Sequence, residues 1–310
     1  MGGRYLKHPF LSVYGHITLD QIMSVDEFPE NNTSVNVTSK ETFLGGTGTN
    51  IAVIASSLGV PTALCGFVGK DFPDRFRESI ESKGVITDEF IVQDGYETAQ
   101  AMIINDKRKE QRVLFYQGPQ GIASLLNNTL TKNAAVSEFV HFSTGDPDYY
   151  LNIMSLIKGK GCKISFDPAQ EIHKIWNKEK FNSALKMSDI LFCNRFEAAS
   201  VLKYTSAHSL SEVDAKMIIC TKGSEGSEMY TNGKMKEIPV VAAKCVEATG
   251  AGDAYRAGFY AGKYNKYSDT ESAMIGAAAA SFIVEKAGAL SNIPSWDAVM
   301  ERADRYLGKI

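Results

Sequence analysis

From residue 139 onward the chain repeats one unit: a short apolar run, a break of polar, Gly or Pro residues, then a stretch of helical periodicity. The runs are Phe139-Val-His-Phe-Ser143, Lys163-Ile-Ser-Phe166, Ile190-Leu-Phe-Cys193 and Met217-Ile-Ile-Cys220, with helical stretches such as 150–157 and 197–202 between them. Runs this short and this apolar read as strands buried on both faces, and strands alternating with helices join in parallel through crossovers. The unit therefore predicts an α/β fold, a parallel sheet between two helical layers in an αβα sandwich. The breaks Thr144-Gly-Asp-Pro147, Asp167-Pro-Ala-Gln170, Asn194-Arg-Phe-Glu197 and Thr221-Lys-Gly-Ser-Glu-Gly226 all follow strands. They share one edge of the sheet and can line one cleft, where open α/β sheets bind ligands.

The N-terminal part is less regular. Residues 10–14 read as a buried strand ending in Gly15-His16-Ile17-Thr18-Leu19-Asp20. Asp20 there suits either a hydroxyl-bearing ligand or a turn, and His16 reads as a packing histidine. Helical period is missing from 26 to 44, and 34–37 alternates as a half-exposed strand would. Residues 61–68 form the next strand, and 76–83 a helix closed by Gly84. The segments 98–104 and 112–116 flank the polar turn Asn105-Asp-Lys-Arg-Lys-Glu110 as a β-hairpin. Lacking crossover helices, these pieces are expected to form a small β-sheet lid, about 30–44 and 97–117, within one domain spanning 1–310. Tyr230-Thr-Asn-Gly-Lys234 signals a hairpin that adds antiparallel strands to the main sheet. Helices are expected from Asp253, over 273–285 and over 296–306.

Composition removes several function classes. With 33 basic and 36 acidic residues, a formal charge of -3, the 310-residue chain has no basic stripe for nucleic acid. Of Cys65, Cys162, Cys193, Cys220 and Cys245, four lie in short apolar runs without CxxC spacing, the pattern of buried thiols in a reducing compartment. The opening Met1-Gly-Gly-Arg-Tyr-Leu-Lys-His-Pro9 lacks an apolar segment of signal-peptide length, and no run of about 18 apolar residues follows. A cytoplasmic protein without a membrane span is expected.

The chemistry concentrates in Glu247-Ala248-Thr249-Gly250-Ala251-Gly252-Asp253, which opens an Ala/Gly-rich helix through Ala254-Tyr255-Arg256-Ala257-Gly258-Phe259. A helix N-terminus stripped of side chains exposes N–H groups and the positive end of the helix dipole to an anion. A carboxylate beside bound phosphate is repelled unless it has work to do, such as taking a proton from an attacking hydroxyl; a simple helix cap is the other reading of Asp253. A second glycine loop, Gly45-Gly46-Thr-Gly-Thr-Asn50, precedes the helical run 51–59 and lacks the surroundings of a dinucleotide fingerprint. Asn194 and Glu197 suit either a phosphate-bound Mg²⁺ or a capping box, and Gly223 and Gly226 suit a nucleotide-binding turn or a plain connection. No Walker A sequence is present, so phosphate would have to be cradled by other means.

Taken together, Gly45-Gly-x-Gly-x-Asn50, Asn194-x-x-Glu197, Thr221-x-Gly-x-x-Gly226 and Thr249-Gly-Ala-Gly-Asp253 resemble the motifs of the ribokinase-like (PfkB) carbohydrate and nucleoside kinase family, in order across nearly the whole chain. Ser143-Thr-Gly-Asp-Pro147, Ser165-Phe-Asp-Pro-Ala-Gln170, Gly250-Ala-Gly-Asp-Ala-Tyr-Arg-Ala-Gly258 and Asn292-Ile-Pro-Ser-Trp296 are most similar to the archaeal nucleoside kinases of that family. The resemblance implies MgATP-dependent phosphorylation of a hydroxymethyl group, here the 5'-hydroxyl of a nucleoside such as inosine, guanosine, cytidine or adenosine, and a homodimer. It assigns Asp253 as base, and the amides of Gly250, Ala251 and Gly252 as the anion hole. Asp20, Gly45, Gly46 and Asn50 would hold sugar hydroxyls, with Asn36 and Gln170 as candidates for the base. Asn194, Thr221, Lys222, Gly223, Ser224, Glu225 and Gly226 would serve the nucleotide, with Asn194 and Glu197 toward Mg²⁺. The family usually has Asp-Thr where this chain has Glu247-Ala248, which puts K⁺ activation through Glu247 and Thr249 in doubt. A sugar or sugar-phosphate acceptor, with Lys107, Arg108, Lys109 and Arg112 as candidate phosphate contacts, and a catalytically silent binder are the alternatives.

Overall fold

The computed structural model describes residues 8–308. The opening segment 1–7, part of the stretch read as lacking a leader, lies outside the described residues. In chain order the strands are β1 (Leu11–Tyr14), β2 (Thr18–Val25), β3 (Val37–Gly45), β4 (Thr62–Gly69), β5 (Phe90–Gln93), β6 (Ala99–Asn105), β7 (Gln111–Tyr116), β8 (Phe139–Phe142), β9 (Lys163–Phe166), β10 (Ile190–Asn194), β11 (Met217–Thr221), β12 (Ser227–Thr231) and β13 (Lys234–Ile238). The helices are α1 (Thr47–Ser57), α2 (Asp74–Ser82), α3 (Pro147–Ile157), α4 (Ile172–Ile175), α5 (Lys178–Met187), α6 (Arg195–Thr205), α7 (Ala251–Tyr264), α8 (Asp269–Ile283) and α9 (Trp296–Leu307).

The apolar runs pair as one sheet in the order β13-β12-β11-β10-β9-β8-β1-β4-β5. It is parallel from β11 to β5, and the Asn232-Gly233 turn adds β12 and β13 in antiparallel sense. Successive strand residues point to opposite faces. Val13, Phe192 and Ile219 accordingly enter a core with α1, α7, α8 and α9, while Tyr14, Leu191 and Ile218 enter a second core with α3, α5 and α6. Two cores on one sheet are the three layers that the repeat of the sequence predicts. The order reverses at β1, which lies between β8 and β4, so a cleft opens at the strand ends beside Gly15 and Ser143.

A separate sheet, β3-β2-β6-β7, forms the lid. Here the structure differs from the periodicity in two places. The expected strand at 34–37 is loop except at its last residue, and the strand runs instead over Val37–Gly45. Residues 18–25, expected only as a polar strand end, form β2, which pairs with β3 on one side and β6 on the other. Those two partners, distant in sequence, make β2 a strand despite its mixed pattern. α5 was not foreseen either, although its Asn177 cap accepts from the Lys180 N–H. α8 begins four residues earlier than expected because Ser268 and Glu271 form a capping box.

Candidate active site

Gly250 is the N-cap of α7, and its φ of 79° lies in the left-handed region open to glycine without cost. A Cβ at this position would also collide with the side chain of Ala289. Ala251 N–H donates to the Ala248 carbonyl at 3.1 Å, whereas the amides of Gly250 and Gly252 have no recorded partner among the described residues. Three positions into the helix stands Asp253, and its Oδ2 accepts from Asn50 Nδ2 at 2.8 Å across 203 residues of sequence. Burial pushes the Asp253 carboxyl up to about 7, against the opposing effects of the Asn50 bond and the Arg256 charge.

Asn50 arrives there because the glycine loop lets α1 start against the end of β1. Gly46 has φ 95°, and a Cβ on it would strike the His16 carbonyl oxygen. That same carbonyl accepts the Gly48 N–H at 3.0 Å. Gly45 faces the Asp20 carboxylate so closely that a Cβ there would displace it. Asp20 Oδ1 accepts from Thr18 Oγ1 at 2.7 Å, and burial raises its carboxyl above the ordinary range. The two glycine motifs thus bring Asp20, Asn50 and Asp253 to neighbouring elements. Asn36 and Gln170, the other two candidates, are not buried with them: Asn36 is exposed in the loop before β3, and Gln170 is exposed too. Glu171 turns inward in place of Gln170, accepting from Gln117 Nε2 at 2.7 Å and lying 3.7 Å from His16 Nε2. His16 is buried with its ring stacked on Phe115 of the lid.

On the other side of Asp253 the strand ends are occupied. Asn194 caps α6, donating through its amide to Glu197 Oε1 at 2.7 Å and through its N–H to Glu197 Oε2 at 2.8 Å. Burial, with repulsion from Asp167, pushes the Glu197 carboxyl up to about 7. The turn after β11 is shaped by Gly223 and Gly226, both at positive φ, with Lys222 N–H donating to the Gly226 carbonyl at 2.8 Å. Its side chains pair outward: Lys222 with Glu228 and Glu225 with Arg195, while Ser224 is exposed. Beside it lies a groove of ≈ 520 Å³ lined by Lys222, Glu225, Ser227, Lys236 and Pro239, among others. Glu247 has both oxygens engaged, by Thr249 Oγ1 at 2.6 Å and Gly288 N at 2.8 Å.

Two groups escaped sequence reasoning. Arg256, on α7, is buried and donates from Nε to Asp167 Oδ2 at 2.7 Å. Asp167 also lies 3.8 Å from His141 Nε2, and burial holds that imidazole down to about 4. A lone arginine in an Ala/Gly-rich helix, with an aspartate just after a strand, was the available signal. Two of the basic residues at the lid turn, by contrast, are engaged locally: Lys107 pairs with Asp26 and Arg112 covers the Phe28 ring.

An αβα body whose glycine-capped helix terminus and carboxylate sit at the sheet's switch point, under a small β lid, defines a ribokinase-like phosphotransferase. Residues 9–296 match the pfkB family carbohydrate kinase model, and the chain belongs to that family of ATP-dependent kinases. It is 35% identical over 311 residues, 99% of each chain, to a nucleoside kinase of Methanocaldococcus jannaschii. To a nucleoside kinase of Methanothermobacter thermautotrophicus it is 34% identical over 298 residues, 94% of each. A crystal structure of Methanocaldococcus jannaschii nucleoside kinase, an archaeal member of the ribokinase family, superposes with a TM-score of 0.88 at 33% identity, covering 96% of this chain and 98% of that one.

Proposed function

We propose that this protein transfers the γ-phosphoryl group of ATP to the 5'-hydroxyl of nucleosides. The observation that carries the reading is the Asn50–Asp253 contact at the Gly250-capped N-terminus of α7. A carboxyl pushed by burial up to about 7 beside helix-terminal amides suited to an anion supports the reading. Asp253 takes the proton of the nucleoside hydroxyl as the bond from that oxygen to phosphorus forms. The bond from phosphorus to the β–γ bridging oxygen breaks, and ADP leaves. The amides at Gly250 and Gly252 stabilise charge on the transferring group, with Ala251 contributing if its turn bond yields. Asn50 orients Asp253, and Asp20 accepts from the sugar hydroxyls.

No group of three or more His, Cys, Asp or Glu side chains suited to a metal occurs among the described residues, so Mg²⁺ would be held largely by phosphate and water. Glu197, paired only within its capping box, fits that role through water. A Mg²⁺ held there would supply neutralisation of phosphate charge. The Gly223–Gly226 turn and the adjoining groove take the nucleotide. We place the activity in the cytoplasm, which the unpaired cysteines support, and in a homodimer, which the exposed apolar residues Val113 and Leu114 of the lid support. No helix among the described residues is long and apolar enough to cross a membrane.

Nucleoside acceptors are supported by the named relatives, whose similarity spans both chains. A coupled assay with inosine, guanosine, cytidine, adenosine, ribose and fructose tests this; turnover of the free sugars alone would replace the nucleoside reading by the sugar-kinase one. Asp253→Asn should lower kcat by about 10²–10⁴-fold with nucleotide affinity nearly unchanged. Wild-type turnover in that variant removes the base assignment.

A further inference from the structure

Arg256 and Asp167 have no part in the chemistry above, yet they join its two halves. Arg256 follows Gly252 by one turn of α7, and its side chain leans back toward the helix N-terminus. Nη1 donates to the Gly252 carbonyl at 3.2 Å, fixing the peptide plane that carries the Asp253 N–H. Nε donates to Asp167 Oδ2 at 2.7 Å. The other Asp167 oxygen accepts from Ala169 N–H at 3.2 Å, at the start of the turn whose Glu171 meets Gln117 and His16 beneath the lid. Three hydrogen bonds thus run from the helix terminus to the turn on the acceptor side.

Stability alone is a poor reason for this arrangement. The two side chains are 6% and 4% exposed, so both ions are desolvated, and an apolar pair of similar volume commonly does as well or better. What an apolar pair cannot supply is a fork with one arm on Gly252 and the other on Asp167. The guanidinium packs against the Phe192 ring at 5.3 Å, and the charged or titratable groups around it are Asp167, Asp253, Glu197, His141, Tyr255, Tyr260 and Cys193.

We propose that Arg256 is a positioning residue for phosphoryl transfer, holding the α7 N-terminal turn at a fixed distance from the acceptor-side turn at 167–171 through Asp167. The inference rests on the reading that α7 and Asp253 carry the transfer. Misplacement of reacting groups by an ångström can cost about 10²-fold. Arg256→Met should therefore lower kcat about tenfold or more while leaving KM for ATP within about threefold. Arg256→Lys, whose ammonium reaches Asp167 without the second arm, should fall between Arg256→Met and the wild type. The double variant Arg256→Met/Asp167→Leu removes both charges and should unfold thermally no earlier than Arg256→Met, yet turn over no faster. It decides the matter if the single variant does not fold. Wild-type kcat in either variant, or a loss carried equally by KM for ATP, overturns the role. Asp253→Asn, assayed alongside, separates the two readings: if it is active the site assignment fails, whereas if it is inactive and Arg256→Met is normal, only the positioning role fails.

Discussion

Asp253 is held between two demands. As the proposed base it would have to be ionised, while its surroundings push its carboxyl up to about 7. In the enzyme with no nucleoside bound, kcat/KM for nucleoside should therefore drop about tenfold per pH unit on the acid side, a limb measurable with saturating MgATP and low nucleoside. The same shift has a consequence for stability. Between the unfolded value near 4 and the folded value near 7, the native state holds a proton that the unfolded chain has released, so this residue's contribution to stability falls as pH rises through that window. Asp253→Asn removes the charge altogether. It should stabilise the ligand-free protein at pH 8 by a few kcal/mol, up to roughly 4, and by clearly less at pH 5. Equal urea midpoints for variant and wild type at pH 8 would contradict the burial of this carboxylate. Local spacing made Asp253 and the glycines around it legible. Arg256 was not legible, because its partner Asp167 is 89 residues away and only the fold brings them together.

At the level of elements, α7 and α8 meet along glycines. A Cβ at Gly258 would lie 2.7 Å from that of Ala279, and one at Gly276 would lie 2.6 Å from the Tyr255 carbonyl oxygen. This close seam fixes α7, and hence its N-terminus, against the second helical layer. Gly276→Val must push Tyr255 and its helix outward and should destabilise the protein by about 1–3 kcal/mol in chemical denaturation, with a parallel loss of turnover. An unchanged midpoint would show that the seam has slack. The Ala-rich sequence already implied close packing here, since small residues are what let helices approach. It missed the start of α8, where the box formed by Ser268 and Glu271 was readable from spacing and outweighed the apolar pattern that begins at Ala273. Asn194 and Glu197, with either a metal or a capping role open from spacing, do form the box, and their mutual bonds set the conditions under which a metal could use them.

Over the whole molecule, the outer edge of the lid has less to hold it than the centre of the main sheet. Among the described residues β7 pairs only with β6, and all of Gln111–Tyr116 is exposed, whereas β4 is buried throughout. Its amides should exchange rapidly in the free protein and gain protection when a nucleoside fills the cleft, followed by hydrogen exchange in Asp253→Asn to avoid turnover. Equal exchange with and without nucleoside would remove the lid from acceptor binding. The sequence by itself determined the layered body, the antiparallel addition at Asn232-Gly233, and the glycine-lined terminus before Asp253, because each depends on residues within a turn or a strand of one another. Tertiary structure decided that residues 18–25 are a lid strand, that Glu171 and not Gln170 faces inward, and that Asn50 meets Asp253 while Arg256 meets Asp167. These are contacts between distant segments. Their partners are chosen by how two cores pack on one sheet, and no local period records that choice.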